Sequence, residues 1–310
     1  MRYGLLSGIL WGLDTVILGV ALSLIGDLPI EQSAIIAPFV STFLHDFFSA
    51  IWMLIYSAIR GQLGKLAAAL KTRNGKVIML GAILGGPVGM TGYTLAIGYI
   101  GPGYTAVISS IYPAVGALLA SLFLKERFRL RQWFGLLVAI GAIIALSYTS
   151  ANEVNHFLLG VGFAALSVFG WAGEGVVCAY GMRDEDVGDE QAIIIRQATS
   201  ALIFAALILP VTGAWSHAIR IGSDISIMKY IIAAGLAGGF SYLFYYRSIH
   251  KIGVGKSMAL NITYSAWAVL FDYLFLGHKP KFLSLVFCAL IIVGGIIAAY
   301  EKAPETASQG

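Results

Sequence analysis

The chain has 310 residues, 58% of them hydrophobic and only 12% charged, with a formal net charge of +4. Soluble domains run near 25% charged, so the composition excludes an ordinary soluble enzyme or scaffold and predicts an all-α polytopic membrane protein. The basic residues cluster between apolar runs, so the positive charge does not call for a nucleic-acid partner.

Ten spans are predicted, at roughly 4–25, 35–59, 77–98, 104–124, 132–150, 157–180, 191–211, 227–249, 256–276 and 282–300. The first run leads straight into Trp11 and Asp14 without a small-residue cleavage site, so no cleavable signal peptide is expected. The connections are too short for a soluble domain, and the polar tail 301–310 is expected to be disordered. The loop after span two carries Arg60, Lys65, Lys71, Arg73 and Lys76, and the loop after span four carries Lys125, Arg127, Arg129 and Arg131. The intervening loops 26–34, 99–103 and 151–156 contain no Lys or Arg. By the positive-inside rule both termini lie on the cytoplasmic side of a bacterial-type inner membrane. The second half is ambiguous, because loop 182–190 is acidic (Asp184, Glu185, Asp186, Asp189, Glu190) and Lys279 and Lys281 fall outside.

An internal repeat runs through these spans. Ile100-Gly101-Pro102-Gly103 recurs as Ile252-Gly253-Val254-Gly255, an offset of 152 residues. The same offset carries Gly86 onto Gly238, Tyr93 onto Tyr245, Tyr112 onto Tyr264 and Phe123 onto Phe275. Trp11 and Asp14 align with Trp171 and Glu174 at an offset of 160. The expected organisation is therefore a first five-helix repeat over 1–151, a second over 152–300, and the tail 301–310. Five is an odd number, so the second repeat must be inverted in the bilayer, an arrangement found in secondary transporters with a site near the midplane.

Several residue types inside these spans carry chemistry. Trp171 and Glu174 are three residues apart deep in span six, and so share one helix face. Trp11 and Asp14 repeat the pattern in span one. A mid-span carboxylate costs about 2.5–3.5 kcal/mol on insertion scales, which implies a partner or a function. Span eight carries Tyr242, Tyr245 and Tyr246 on one face, and span nine carries Tyr264 and Trp267 on another. Aromatic faces attract organic cations, although the same residues can serve packing or an interfacial belt. His45 and Asp46 lie mid-span two, and Arg196 and Gln197 occupy the equivalent positions of span seven. Arg196 can pair with Glu174 or Asp46, or snorkel to the surface. Asp14, His45, Asp46 and Glu174 are the candidates to carry a coupling proton. At Glu174 desolvation favours the protonated form unless Arg196 makes a firm contact. Gly85-Gly86-Pro87 and Gly238-Gly239 permit close helix contact or a break in the hydrogen-bond ladder. Cys178 and Cys288 both lie in apolar runs, and no disulfide, metal site, cofactor motif or HExxH is present. Arg247 and Asp272, near span ends, are expected to be structural.

These features resemble the drug/metabolite transporter superfamily, in particular its EamA-type ten-helix members and, among those, the LicB-type bacterial choline transporters. The resemblance is carried by His45-Asp46-Phe47, Gly86-Pro87-Val88-Gly89-Met90, Ser110-Ile111-Tyr112-Pro113-Ala114, Trp171 to Glu174, Ile195 to Ser200, Ser241 to Tyr246 and Leu260 to Leu270. It implies proton-linked uptake by alternating access, with aromatic side chains around a trimethylammonium group and Trp171 and Glu174 as aromatic wall and acidic partner. Export of amino acids or related metabolites is the alternative within transport, and a membrane-embedded lipid-modifying enzyme or scaffold the rival class. The sequence leaves the oligomeric state open, and a monomer is compatible with it.

Overall fold

A computed structural model describes residues 1–26, 33–147, 157–184 and 186–300. The tail 301–310, Glu185 and most of the connections 26–34 and 148–156 lie outside the described residues. The elements are helices α1 (Arg2–Gly26), α2 (Ser33–Ile59), α3 (Leu63–Ala69), α4 (Arg73–Ile83), α5 (Thr91–Ser109), α6 (Tyr112–Phe123), α7 (Leu130–Ser147), α8 (Phe157–Gly181), α9 (Asp189–Ile203), α10 (Leu209–Val211), α11 (Trp215–Gly222), α12 (Ile225–Ile252), α13 (Val254–Asn261), α14 (Tyr264–Leu276) and α15 (Phe282–Ala299). No strand occurs among the described residues. A chain this apolar must satisfy its backbone N–H and C=O groups internally, and helices do so segment by segment.

Eight helical stretches are long and apolar enough to cross a membrane, and Tyr112–Phe123 and Leu130–Leu146 are shorter apolar helices. Tyr112–Phe123 falls short of the expected 104–124 because the chain turns at Ser110 and Ile111, where Pro113 has no N–H to donate to the carbonyl of Ser109 four residues back. Span nine is broken in the corresponding place, at Ile262 and Thr263, 152 residues on. A third difference lies at 99–103, where helical hydrogen bonding continues through the expected loop. That stretch has no charged or amide side chain to take over the backbone's hydrogen bonds. Two short helices, α3 and α11, lie in the connections between predicted spans.

Helix boundaries follow from local chemistry. Thr72 caps α4 by accepting from Gly75 N–H at 2.9 Å. Asp224 caps α12, and the Ser226 hydroxyl and N–H donated to it hold its carboxyl below the usual carboxylate range. Between α4 and α5, Leu84–Met90 forms a π-helical segment around Pro87, whose missing N–H removes one rung of the ladder. A second π-helical segment, Phe204–Ile208, joins α9 to α10.

The packing is reciprocal between the halves. The first helix of the chain, α1, lies against α12, α13 and α14, while α8, the first helix of the second half, lies against α4, α5 and α6. The two remaining pairs, α2 with α9 and α7 with α15, pack across the halves. Gly4, Gly8 and Gly12 of α1 sit in that order on Leu260, Thr263 and Trp267, so α1 runs parallel to α13–α14.

Candidate functional site

Where α1, α2, α8, α9 and α12 converge, the mid-span ionisable residues form one continuous chain. Asp14 faces His45 Nε2 at 3.3 Å, and His45 Nδ1 lies 3.1 Å from Asp46 Oδ1. Asp46 Oδ2 accepts from Arg196 Nη1 at 3.1 Å, and Arg196 Nε donates to Glu174 Oε1 at 2.7 Å. Arg196 Nη2 also donates to the Tyr242 hydroxyl at 3.0 Å, with the guanidinium 4.5 Å from that ring's centroid. Gln197 accepts from Arg196 Nη1 and donates to Ser49 Oγ at 2.7 Å. The Tyr246 hydroxyl lies 3.2 Å from Glu174 Oε1 and 3.3 Å from Cys178 Sγ, and donates to one of them. None of these charged residues exceeds 7% exposure.

Buried charges in spans pair with one another because each alone is costly. Here the pairing is incomplete in charge. Asp14, Asp46 and Glu174 face one guanidinium, Arg196, and one imidazole. With His45 neutral the chain carries two surplus negative charges, and with His45 protonated it carries one. Asp14 Oδ1 and His45 Nε2, 3.3 Å apart, are not aligned for a hydrogen bond, and neither has another partner among the described residues.

Glycines make the room for it. A Cβ on Gly85, inside the π-helical segment, would collide with the Glu174 carboxylate, and one on Gly238 would collide with the His45 ring and reach Asp14 Oδ2 at 3.0 Å. One glycine of each pair picked out from the sequence thus lies against a carboxylate, Gly85 against that of α8 and Gly238 beside that of α1.

Beside Glu174 lies a cavity of about 20 Å³ lined by Trp11, Tyr112, Trp171, Tyr242, Tyr245 and Asn261, with Gly175 in its wall. Ligand pockets usually measure about 300–1,000 Å³, so the space between these walls is too small for an organic ligand as it stands. Tyr112 donates to Asn261 Oδ1 at 3.2 Å, and Asn261 donates to Ser7 Oγ at 2.6 Å. The two broken helices therefore meet at the cavity. Trp171 is flanked by Tyr93 at 5.2 Å and Tyr112 at 5.8 Å, centroid to centroid.

Of the aromatic candidates, Trp11, Trp171, Tyr242 and Tyr245 line the cavity. Tyr264 stacks behind Trp11 at 5.3 Å. Tyr246 sits behind the carboxylate, fully buried. Trp267 packs its Cβ against Gly12, away from the cavity lining. Of the partners left open for Arg196, the structure brings it to both Glu174 and Asp46, with the firmer contact to Glu174. Tyr112 and Asn261 were not singled out as site residues, although Tyr112 stands in the repeat and in the Ser110–Ala114 motif. Asn261 is an amide buried in an apolar span, and that was the available signal. Arg247, as expected, is structural. It pairs with Asp189 at 2.6 Å and Glu190 at 2.8 Å, and Asn74 donates to Asp184 at 3.0 Å, so these three acidic residues of the loop have partners.

Comparison with known proteins places the whole chain. The profile of the EamA-like transporter family matches residues 2–148 and again 158–300. Protein LicB of Haemophilus influenzae is 29% identical over 312 aligned positions, covering 98% of each chain. A protein known from a crystal structure superposes with a TM-score of 0.73 at 19% identity, over 96% of this chain and 95% of its own, which establishes a shared fold.

Proposed function

The chain belongs to the EamA-like transporter family of multi-pass membrane proteins, and we propose that it takes up choline or a closely related quaternary ammonium compound, driven by a proton gradient. The observation that carries the reading is an aromatic-walled cavity touching Glu174, at the end of a buried chain with more carboxylates than cations. A quaternary ammonium has no hydrogen to donate, so aromatic faces and an uncancelled negative charge are the groups that recognise it. The resemblance of the sequence to LicB-type choline transporters points the same way.

In this reading ten helices form two inverted five-helix repeats in the cytoplasmic membrane, with both termini inside. The two separate family matches, the reciprocal packing of α1 and α8, and the equivalent breaks at 110–111 and 262–263 support it. Alternating access enlarges the closed cavity toward one face at a time. The energy comes from the ion gradient without a bound cofactor, and one copy of the chain suffices. Amino-acid export fits less well. A substrate carboxylate would need a free cation, and Arg196, the one cation in the buried chain, is already held by Glu174 and Asp46.

The test is radiolabelled choline uptake into proteoliposomes with and without an inside-alkaline gradient. Accumulation that the gradient drives, and that betaine or an amino acid fails to match, is the expected result. Absence of accumulation by folded protein refutes choline import, and gradient-independent equilibration refutes proton coupling.

A further inference from the structure

The two broken helices lead from the cavity to one end of the bundle. Beyond α6 the chain turns at Lys125, the one non-glycine residue with positive φ (59°) among the described residues. That turn presents Glu126 to the start of α13. Glu126 Oε1 accepts from Val254 N–H at 2.7 Å and Oε2 from Gly255 N–H at 3.2 Å. Gly253, with φ 87°, leaves the approach open, since a Cβ there would stand 2.7 Å from the carboxylate. Glu126 is held in turn by its own backbone, whose N–H donates to Ala120 O at 3.2 Å and whose carbonyl accepts from Ser121 Oγ at 2.7 Å. A carboxylate on the first N–H groups of a helix is favoured by both the donors and the dipole.

The repeat shows what the other end lacks. An offset of 152 sets Gly277 (φ 75°) against Lys125, His278 against Glu126 and Pro102 against Val254. Proline has no N–H and histidine no carboxylate, so the equivalent contact cannot form. His278 instead lies 3.1 Å from Asp272. At that end, reached by the C-terminal half of α1, a crevice of about 1060 Å³ opens beside α14 and α15.

We infer that Glu126 is a one-sided latch. It holds α13 against the end of α6, so that the cavity is sealed from the cytoplasm, and its release lets α13 swing away in the inward-open state. This deepens the transport reading and rests on it for the direction of the faces. The seal itself is Met258 of α13. Its side chain fills the space that a Cβ on Gly116 of α6 or Gly175 of α8 would need, directly beside the cavity. Glu126 thus acts through α13 as a positioning residue and touches no substrate.

Cys178 provides a native reporter. It is fully buried and lies one turn past Glu174 on α8, toward the latched end. In a Cys288→Ser background, a charged methanethiosulfonate is applied to inside-out and right-side-out vesicles and its reaction with Cys178 is timed. Glu126→Gln should raise the rate at the cytoplasmic face about tenfold or more, equivalent to ~1.4 kcal/mol, and leave the external face unchanged. Val254→Pro removes the donor at a helix position that proline favours, and should do the same. The double variant should raise the rate by less than the product of the two single effects, because both act on one two-bond contact. Unchanged rates in both single variants, with the protein folded by size-exclusion, overturn the latch, as does an additive double variant. A rise confined to the external face overturns the cytoplasmic assignment. The assay uses no substrate, so failure of choline uptake is read separately.

Discussion

Trp171 offers the sharpest test of how the site would hold a cation. It lines the cavity with its ring against Tyr93 and Tyr112, so replacing it by Ala removes both an apolar surface and a π face. The two losses separate if choline is compared with 3,3-dimethylbutanol, which has the same shape and no charge. The neutral analogue reports only the apolar contact. The cation–π part is worth ~0.5–2 kcal/mol, so Trp171→Ala should weaken choline by about 2- to 30-fold more than it weakens dimethylbutanol. The total loss for choline should reach about tenfold or more, and Trp171→Phe should keep part of the difference because it keeps a π face. Displacement of radiolabelled choline from purified transporter measures both affinities, and thermal unfolding checks that Tyr93 and Tyr112 have not collapsed into the space left behind. Equal losses for the two ligands refute the cation–π argument. Unchanged choline affinity in folded Trp171→Ala refutes any role in binding.

Three further outcomes follow from the charge chain. Glu174→Gln keeps an oxygen for Arg196 Nε but removes a surplus charge next to the cavity, and choline affinity should fall about tenfold, ~1.4 kcal/mol, in the same displacement assay; full affinity would make Glu174 structural. Arg196→Gln leaves Asp46 and Glu174 buried without their cation, which should cost about 3–5 kcal/mol of stability; a melting curve indistinguishable from wild type would contradict the pairing. Asp14→Asn removes the negative charge that faces His45, at the end of the chain away from Glu174, and should abolish gradient-driven accumulation while choline binding and exchange persist; intact accumulation would place the proton elsewhere.

Much of the site could be read from the residues alone because helix geometry is local. Three-residue spacing put Trp171 and Glu174 on one face, and both reach the cavity. Repeat equivalence matched His45 and Asp46 to Arg196 and Gln197, and of these Asp46 and Arg196 lie 3.1 Å apart. Spacing gives shared faces, however, and not what each face meets. Tyr264 and Trp267 share a side of α14, yet that side turns to α1, where Tyr264 stacks on Trp11 and Trp267 seats on Gly12. The breaks at 110–111 and 262–263 were hidden because hydropathy averages across them. The Tyr112–Asn261 contact, between residues 149 apart in sequence, exists only once those broken helices are packed together.

Arg196 divides the ionisable chain into two ends, and that division bears on coupling. If proton and substrate used one carboxylate, each would displace the other, and the protein would exchange them across the membrane. Symport needs both aboard at once. Glu174 meets the cavity, while Asp14 and His45 stand beyond Asp46, with Asp14 Oδ1 and His45 Nε2 lacking hydrogen-bond partners. On the proposed reading, a cation beside Glu174 competes with Arg196 for that carboxylate and shifts the guanidinium's attraction toward Asp46. Asp46 then offers less negative charge to His45, so the proton that entered with the substrate is held less firmly at the far end. The substrate thereby favours release of the proton it travelled with, provided that release occurs after the cavity has turned to face the cytoplasm. That ordering is what a latch present at one end only can impose.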